Sequence, residues 1–334
     1  MAKHHNSTSD GLQQALELLG RNVRAKAAAQ AAAEPQASEP ASPNIRTPPD
    51  DDRQADFFVP SLFDIPLKDG LELMDVAVFR LSKSQTRRGE IIRHVLPNGV
   101  IEVAGGAHGM ATIWDYDLVL MMISHLADAE RRYRQGHTKK PSRHFRPHAI
   151  EIFKFCRLPA GGKQYENLAG TLDRLQGTFI KITTNGGPGR SSKTRRTGYF
   201  PLISGANVIS RTDTGRIGQV ELIIPEWIYE GVCKHKTPEV LTIDPDYLLI
   251  TGGTARFIYR LARRAAGADI ARYGFRTIHS RSGSSREFKK FSHDLRQLIA
   301  ANDLPGYLLA EEKGADGPIL VMHNRDHAGR LLDA

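Results

Sequence analysis

The chain reads as a mixed α+β protein that uses one plan twice: helix, connecting element, helix, then strands. Three observations predict this. An amphipathic helix over residues 284–301 is followed by two strands, within 307–322, around a Gly-Pro turn. A second amphipathic helix, over 162–175, is likewise followed by strands at 178–184, 199–204 and 219–224. Ahead of both lies a tail whose Ala, Pro, Ser and Asp content leaves too little apolar surface to order itself. Helix, helix, hairpin is the order of a winged helix, so the expected fold is two tandem winged helix-turn-helix domains with a disordered N-terminal tail. The expected divisions are 1–55 for the disordered or partly helical tail, 56–237 for a first winged-helix domain with an added β-hairpin, and 238–325 for a second. Only the order of elements supports the repeat; no sequence identity between the copies does.

Within the tail, residues 10–30 carry Leu12, Ala15, Leu16 and Leu19 on one helical side. From Phe57 the composition changes. Residues 73–81 read as a strand, and 91–103 as a hairpin turning at Asn98-Gly99. Residues 115–126 are almost wholly apolar behind an Asp suited to a cap, which predicts a buried helix. The stretch 130–147, rich in Arg, Lys and His, predicts a surface loop, and 148–157 fits either period and is taken as helix. The 162–175 helix places Tyr165, Leu168, Leu172 and Leu175 on one face. The strands from 178 to 224 form one small sheet that Pro225 ends, and 227–234 is a short helix. In the second unit, 245–249 leads into a helix over 254–266. That helix turns Phe257, Ile258, Leu261 and Ala265 inward and Arg256, Arg260, Arg263 and Arg264 outward, and Gly267 stops it. Residues 270–278 connect it to the 284–301 helix, for which Ser284 and Glu287 have capping-box spacing.

At 334 residues the chain is long enough for two cores and a tail. Its 46 Lys+Arg against 37 Asp+Glu give a formal net charge of +9 and a pI near 9.6, which favours a polyanionic partner. Two distant cysteines, Cys156 and Cys233, cannot make a zinc site unaided or a disulfide framework, and fit a reducing cytosol. The longest apolar run, 118–123, is far short of the ~20 residues that span a bilayer. The N-terminus carries no apolar signal core. The expectation is a soluble cytoplasmic protein.

Charge is distributed in a pattern that points to nucleic acid. In the 284–301 helix, Phe288, Phe291, Leu295, Leu298 and Ile299 fall within about a third of the circumference, and Arg286, Lys289, Lys290, His293, Arg296 and Gln297 fall opposite. A solvated amphipathic helix would look the same, but the neighbourhood is one-sided. Between residues 256 and 301, eleven basic residues stand against Asp269, Glu287 and Asp294. In the 162–175 helix, Lys163, Asn167, Gly170 and Arg174 share a side that can enter a major groove, where Asn and Arg can make bidentate base contacts. Gly170 costs up to about 1 kcal/mol inside a helix, which is explained if the backbone must come close to something there. The loop 185–198 carries Arg190, Lys193, Arg195 and Arg196 among glycines and serines, and suits phosphate or minor-groove contact; a solvated loop is the alternative. The final hairpin holds Glu311, Glu312 and Asp316 beside Lys313, so that wing is not expected to grip DNA.

Signatures of chemistry are not evident. Gly162-Lys163 has Arg157 where a Walker loop needs its first glycine and Gln164 where it needs Ser or Thr. His144 and His148 are not the H-x-H pair of a nickase metal site, and no carboxylates show two-metal spacing. The expectation is no catalytic residue, no metal and no cofactor.

From Phe57 onward the chain resembles the plasmid replication initiator protein A family. The resemblance rests on Phe57-Phe-Val-Pro-Ser-Leu-Phe-Asp-Ile-Pro-Leu-Lys-Asp69, Phe79-Arg-Leu-Ser-Lys83 and Gly109-Met-Ala-Thr-Ile-Trp-Asp-Tyr-Asp117. It continues in Tyr165-Glu-Asn-Leu-Ala-Gly-Thr-Leu-Asp-Arg-Leu-Gln-Gly-Thr178, Ile224-Pro-Glu-Trp-Ile228 and Phe288-Lys-Lys-Phe-Ser-His-Asp-Leu-Arg296. Together these cover most of residues 57–323. The resemblance implies an initiator that binds repeated double-stranded sites (iterons) at a plasmid origin, helps to open an adjacent A·T-rich region, recruits host replication proteins and often represses its own promoter. It also implies a possible homodimer through the first domain. The DNA-facing role carries over to Lys163, Gln164, Tyr165, Asn167, Thr171 and Arg174, and to Arg286, Lys289, Lys290, His293 and Arg296; Arg281 joins the second set from its position beside that helix. Tyr165 is an uneasy member, since the helical wheel turns it toward the core. A winged-helix transcriptional repressor and, in another class, a DNA-nicking or priming enzyme are the competing readings.

Overall fold

The computed structural model describes residues 43–49, 65–71, 74–97, 99–184 and 196–326; of Arg196 it describes the backbone alone. Short strand β1 (Lys68–Gly70) is followed by the hairpin β2 (Ile91–Leu96) and β3 (Gly99–Ala104), then by the long helix α1 (Tyr116–Arg134). Strand β4 (His144–Phe145) and helices α2 (Ala149–Phe155) and α3 (Gly162–Gly177) come next. Strands β5 (Phe179–Thr184), β6 (Arg196–Pro201), β7 (Gly205–Arg211) and β8 (Ile217–Ile223) follow. Helix α4 (Glu226–Cys233), β9 (Val240–Thr242) and a 3-10 turn (Pro245–Leu249) lead into α5 (Gly253–Ala265). The chain then runs through β10 (Ile270–Gly274), α6 (Phe275–Ser282), α7 (Phe288–Ala301) and the hairpin β11 (Tyr307–Gly314) and β12 (Gly317–Asn324). Among the described residues the strands form antiparallel sheets of order β1-β9, β2-β3-β5-β6, β4-β8-β7 and β10-β12-β11.

Two helices buried on nearly every side hold these layers together. From Tyr116 to Ser124 no residue of α1 is exposed, as the apolar run predicts, and the same holds for Ala255 to Ala262 of α5. The outward placing of Arg256 and Arg260 is therefore corrected: they are 2% and 0% exposed. Arg256 Nη1 donates to Asp117 at 2.6 Å, and Arg260 Nε donates to Asp69 at 2.6 Å. The Arg260 guanidinium also lies over the Phe79 and Tyr116 rings, 4.9 and 4.6 Å from their centroids. A helical wheel sees only local residues, and both acids lie in the other unit. Strand β9 likewise pairs with β1, and one apolar core runs through both units. The boundary expected near 238 is thus crossed by a sheet and two buried ion pairs.

Other departures have local reasons. Residues 74–81 are buried but not a strand; Ala77 N–H donates to Arg281 O and Arg80 N–H to Ala111 O, so the segment is tied to loops on either side. The helix expected to end at 126 continues to Arg134, where Arg131 and Arg132 pair with Asp128 one turn back. Asp115 makes no cap hydrogen bond. The strands expected as one sheet are split: β6 joins the β2-β3-β5 sheet and β8 the β4-β7 sheet, with β7 an additional strand. Gly283, at φ +58°, ends α6, and Ser284 Oγ accepts from Arg286 N–H rather than from Glu287. The Ser284/Glu287 capping box therefore does not form, α7 begins at Phe288, and α6 is a helix inside the expected connector. Residues 43–49, from the expected tail, strap both units: Asn44 Nδ2 donates to Asp303, and Arg46 Nη2 to the carbonyls of Cys156 and Leu248. The helix expected over 10–30 lies outside the described residues.

Candidate nucleic-acid interface

Helix α7 has the predicted division. Phe291, Leu295 and Leu298 are buried, and Arg286, Lys289, Lys290, His293, Arg296 and Gln297 are exposed. Its cations are not equivalent, however. Arg296 holds Glu311 of β11 in a bidentate pair at 2.8 Å, which raises its pKa further, and Arg286 pairs with Asp294. Arg272 on β10 pairs with Glu312 at 3.3 Å. The acids of the final hairpin thus neutralise neighbouring arginines instead of facing outward. Lys289 and Lys290 form no ion pair among the described residues, so they are the accessible charges of the helix. His293 Nε2 lies 3.1 Å from Gln297 Nε2. Arg281, at the end of α6, stacks over the Tyr273 ring at 4.9 Å.

Helix α3 divides along its length. Lys163 and Asn167 in its first half are exposed, and Gln164, half-buried, lies 3.5 Å from the Asn167 amide. In the second half Thr171 and Arg174 are turned into the protein. Arg174 Nε and Nη2 donate to the two Asp115 oxygens at 2.8 and 2.7 Å, and Thr171 Oγ1 donates to the same carboxylate at 2.7 Å. That hydrogen bond is the main reason the guanidinium pKa is raised. Gly170 has its explanation here: a Cβ there would sit 2.9 Å from Arg174 Nη1, so the close approach is internal. Tyr165 is half-buried, edge-on to Phe153 at 4.9 Å. Thr171, Arg174 and Tyr165 therefore hold α3 in place rather than lying open on its outer side. Of the loop expected to grip phosphate, Arg190, Lys193 and Arg195 and the side chain of Arg196 lie outside the described residues.

Two contributors were missed. Arg216, beside the β7–β8 turn, lies over the Tyr165 ring at 5.6 Å and within reach of Gly162 at the start of α3. Arg211 stands across the same turn, its Nη1 donating to Gly215 O. The Thr212-Asp-Thr-Gly215 run was the available turn signal, with Gly215 at φ +78°. Strand β7 escaped notice because Asn207 to Arg211 is exposed on both faces and shows no alternation. Among the described residues no group of three or more His, Cys, Asp or Glu is placed to hold a metal ion, and no helix is long and apolar enough to cross a membrane.

The described molecule is thus a mixed helix-and-strand protein that presents two partly cationic helices, each beside an antiparallel hairpin. The chain belongs to the Replication initiator protein A family, whose profile matches residues 68–309, and its role lies in replication initiation. It is 29% identical over 236 residues to a "Putative replication protein" of Wigglesworthia glossinidia brevipalpis, covering 70% of this chain and 81% of that protein. In fold it is similar to the crystal structure of domains 2 and 3 of RctB, with a TM-score of 0.54, 13% identity, and coverage of 76% of this chain and 98% of that one.

Proposed function

We propose that the chain initiates replication of a plasmid by binding repeated double-stranded sites at the origin, with α3 and α7 each entering a major groove. In this reading each helix and its hairpin form a winged helix-turn-helix: α2, α3 and the β7–β8 hairpin in the first unit, α6, α7 and the β11–β12 hairpin in the second. The observation that carries it is the exposed Lys289–Lys290 face of α7, opposite a fully buried apolar stripe, in a member of an initiator family. In the first unit Lys163, Gln164 and Asn167 are the reading residues, with Arg211 and Arg216 reaching phosphate. Origin opening, recruitment of host replication proteins and repression of its own promoter are parts of the same proposal. So is a homodimer through the first unit, for which the outer face of the β2-β3-β5-β6 sheet offers apolar surface at Ile91 and Val95, 62% and 74% exposed.

Footprinting across the chain's own replicon tests the reading. Protection of direct repeats beside an A·T-rich stretch is expected, and uniform protection without sequence preference would overturn it. Action by binding rather than by catalysis belongs to the proposal as well. Supercoiled origin plasmid incubated with the protein and magnesium should stay intact and unprimed; a nicked or primed product would refute that part.

A further inference from the structure

Residues 82–88, Ser-Lys-Ser-Gln-Thr-Arg-Arg, join the buried 74–81 segment to β2 with no acidic residue before Glu90. A buried cation organises them from beneath. Arg80 Nη1 donates to the carbonyls of Ser82, Lys83 and Gln85 at 2.6, 3.0 and 2.6 Å, and its Nε to Met110 O at 2.8 Å. Thr86 O accepts from Met110 N–H at 2.9 Å. In a planar trans peptide the N–H points opposite to the C=O before it. Carbonyls drawn inward at 82, 85 and 86 therefore turn the amides of Lys83, Thr86 and Arg87 outward, where no acceptor among the described residues takes them. Lys83, Ser84, Thr86 and Arg88 are exposed beside those amides. Outward amides among hydroxyls and cations make an anion-binding concavity.

The loop belongs to the first unit but stands against the second. Ser285 Oγ donates to Gln85 Oε1 at 2.6 Å, and Arg87 Nη2 donates to Gly283 O at 2.8 Å, both in the turn between α6 and α7. An open cavity of about 730 Å³ separates loop and helix, lined among others by Ser84, Gln85, Ser284, Arg286 and Gln297. We infer that residues 82–88 form a phosphate-binding loop that takes the nucleic-acid backbone phosphates flanking the groove read by α7. This rests on the reading of α7 as duplex-facing. It adds that the second unit's footprint is completed by the first, so the two units bind as one body there.

The test uses the full chain and fluorescence anisotropy with an origin-repeat duplex and an unrelated duplex, from 50 to 200 mM salt. Lys83→Gln/Arg88→Gln removes exposed charge without touching Arg80 or Arg87, which hold the loop. Its salt slope should fall by about 1–2, at about 0.9 per phosphate released, with equal weakening on both duplexes and base preference retained. Ser84→Asp, a single exposed change that sets a carboxylate at the mouth, should weaken binding at least tenfold at low salt. A slope and affinity equal to the parent's in both variants would overturn the loop assignment. Inorganic phosphate, matched to chloride in ionic strength, separates the sources: no extra competition supports a nucleic-acid site, while displacement at millimolar phosphate with unchanged slopes assigns a small-anion site and overturns ours. Lys289→Ala/Lys290→Ala is measured alongside. If it binds like the parent, the reading of α7 falls and the loop's role with it; if it weakens while the loop variants do not, only the loop assignment falls.

Discussion

Arg260 shows what a single residue decides here. A guanidinium with no solvent contact costs several kcal/mol to desolvate, and the Asp69 carboxylate offsets that cost only while both are present. Arg260→Ala should therefore lower stability by about 3–5 kcal/mol in urea titration, whereas Arg260→Met with Asp69→Leu should lose far less. A loss below 1 kcal/mol for Arg260→Ala would contradict the buried pair. Glu221 on β8 is a different case: hydrogen bonds from Arg146, then Asn207 and His144, bring its pKa down to about 2. Since an unfolded Glu titrates near 4.3, its contribution is fully present above that value and is lost as pH falls toward 2. Stability of the parent should drop between pH 5 and 2 more steeply than that of Glu221→Gln; identical pH profiles would exclude the assignment. Neither partnership was legible in the sequence, because Asp69 lies 191 positions from Arg260 and Glu221 lies 75 from Arg146.

Among elements, α7 was the most legible, since three buried residues at i, i+4 and i+7 and an exposed basic side follow directly from helical period. Its start was not, because five residues with serine hydroxyls and one left-handed glycine can cap a helix in more than one way. Lys289→Ala/Lys290→Ala should weaken duplex binding and flatten its salt dependence; an unchanged slope would count against the placing of α7. Arg296→Ala should do so less, because Glu311 already neutralises it. In α3, Asn167→Ala should alter preference at particular base pairs by about 1–3 kcal/mol, read by competition among substituted duplexes. Arg174→Ala should weaken every sequence alike, through loss of the Asp115 anchor; a base-specific effect would restore it to the reading face. The difference between these two residues is invisible on a helical wheel, where both occupy one side.

For the whole molecule, the question is how two units act together. A shared core, the β1–β9 pair, two buried ion pairs and the 43–49 strap join them, so the surface that meets a duplex spans both. If the exposed face of the four-stranded sheet is the dimer surface, Val95→Asp should convert a dimer to a monomer in sedimentation velocity while leaving repeat binding by the monomer intact. An unchanged oligomer would place the contact elsewhere. By itself the sequence determined the order of helices and strands, which faces are apolar, and a basic balance suited to a polyanion, because period and composition are local properties. Only the tertiary structure decided which cations remain available. Arg256 and Arg260 serve the core, Arg174 an anchor and Arg296 a hairpin acid, since charge pairing is settled by groups far apart in the chain that folding brings within 3 Å.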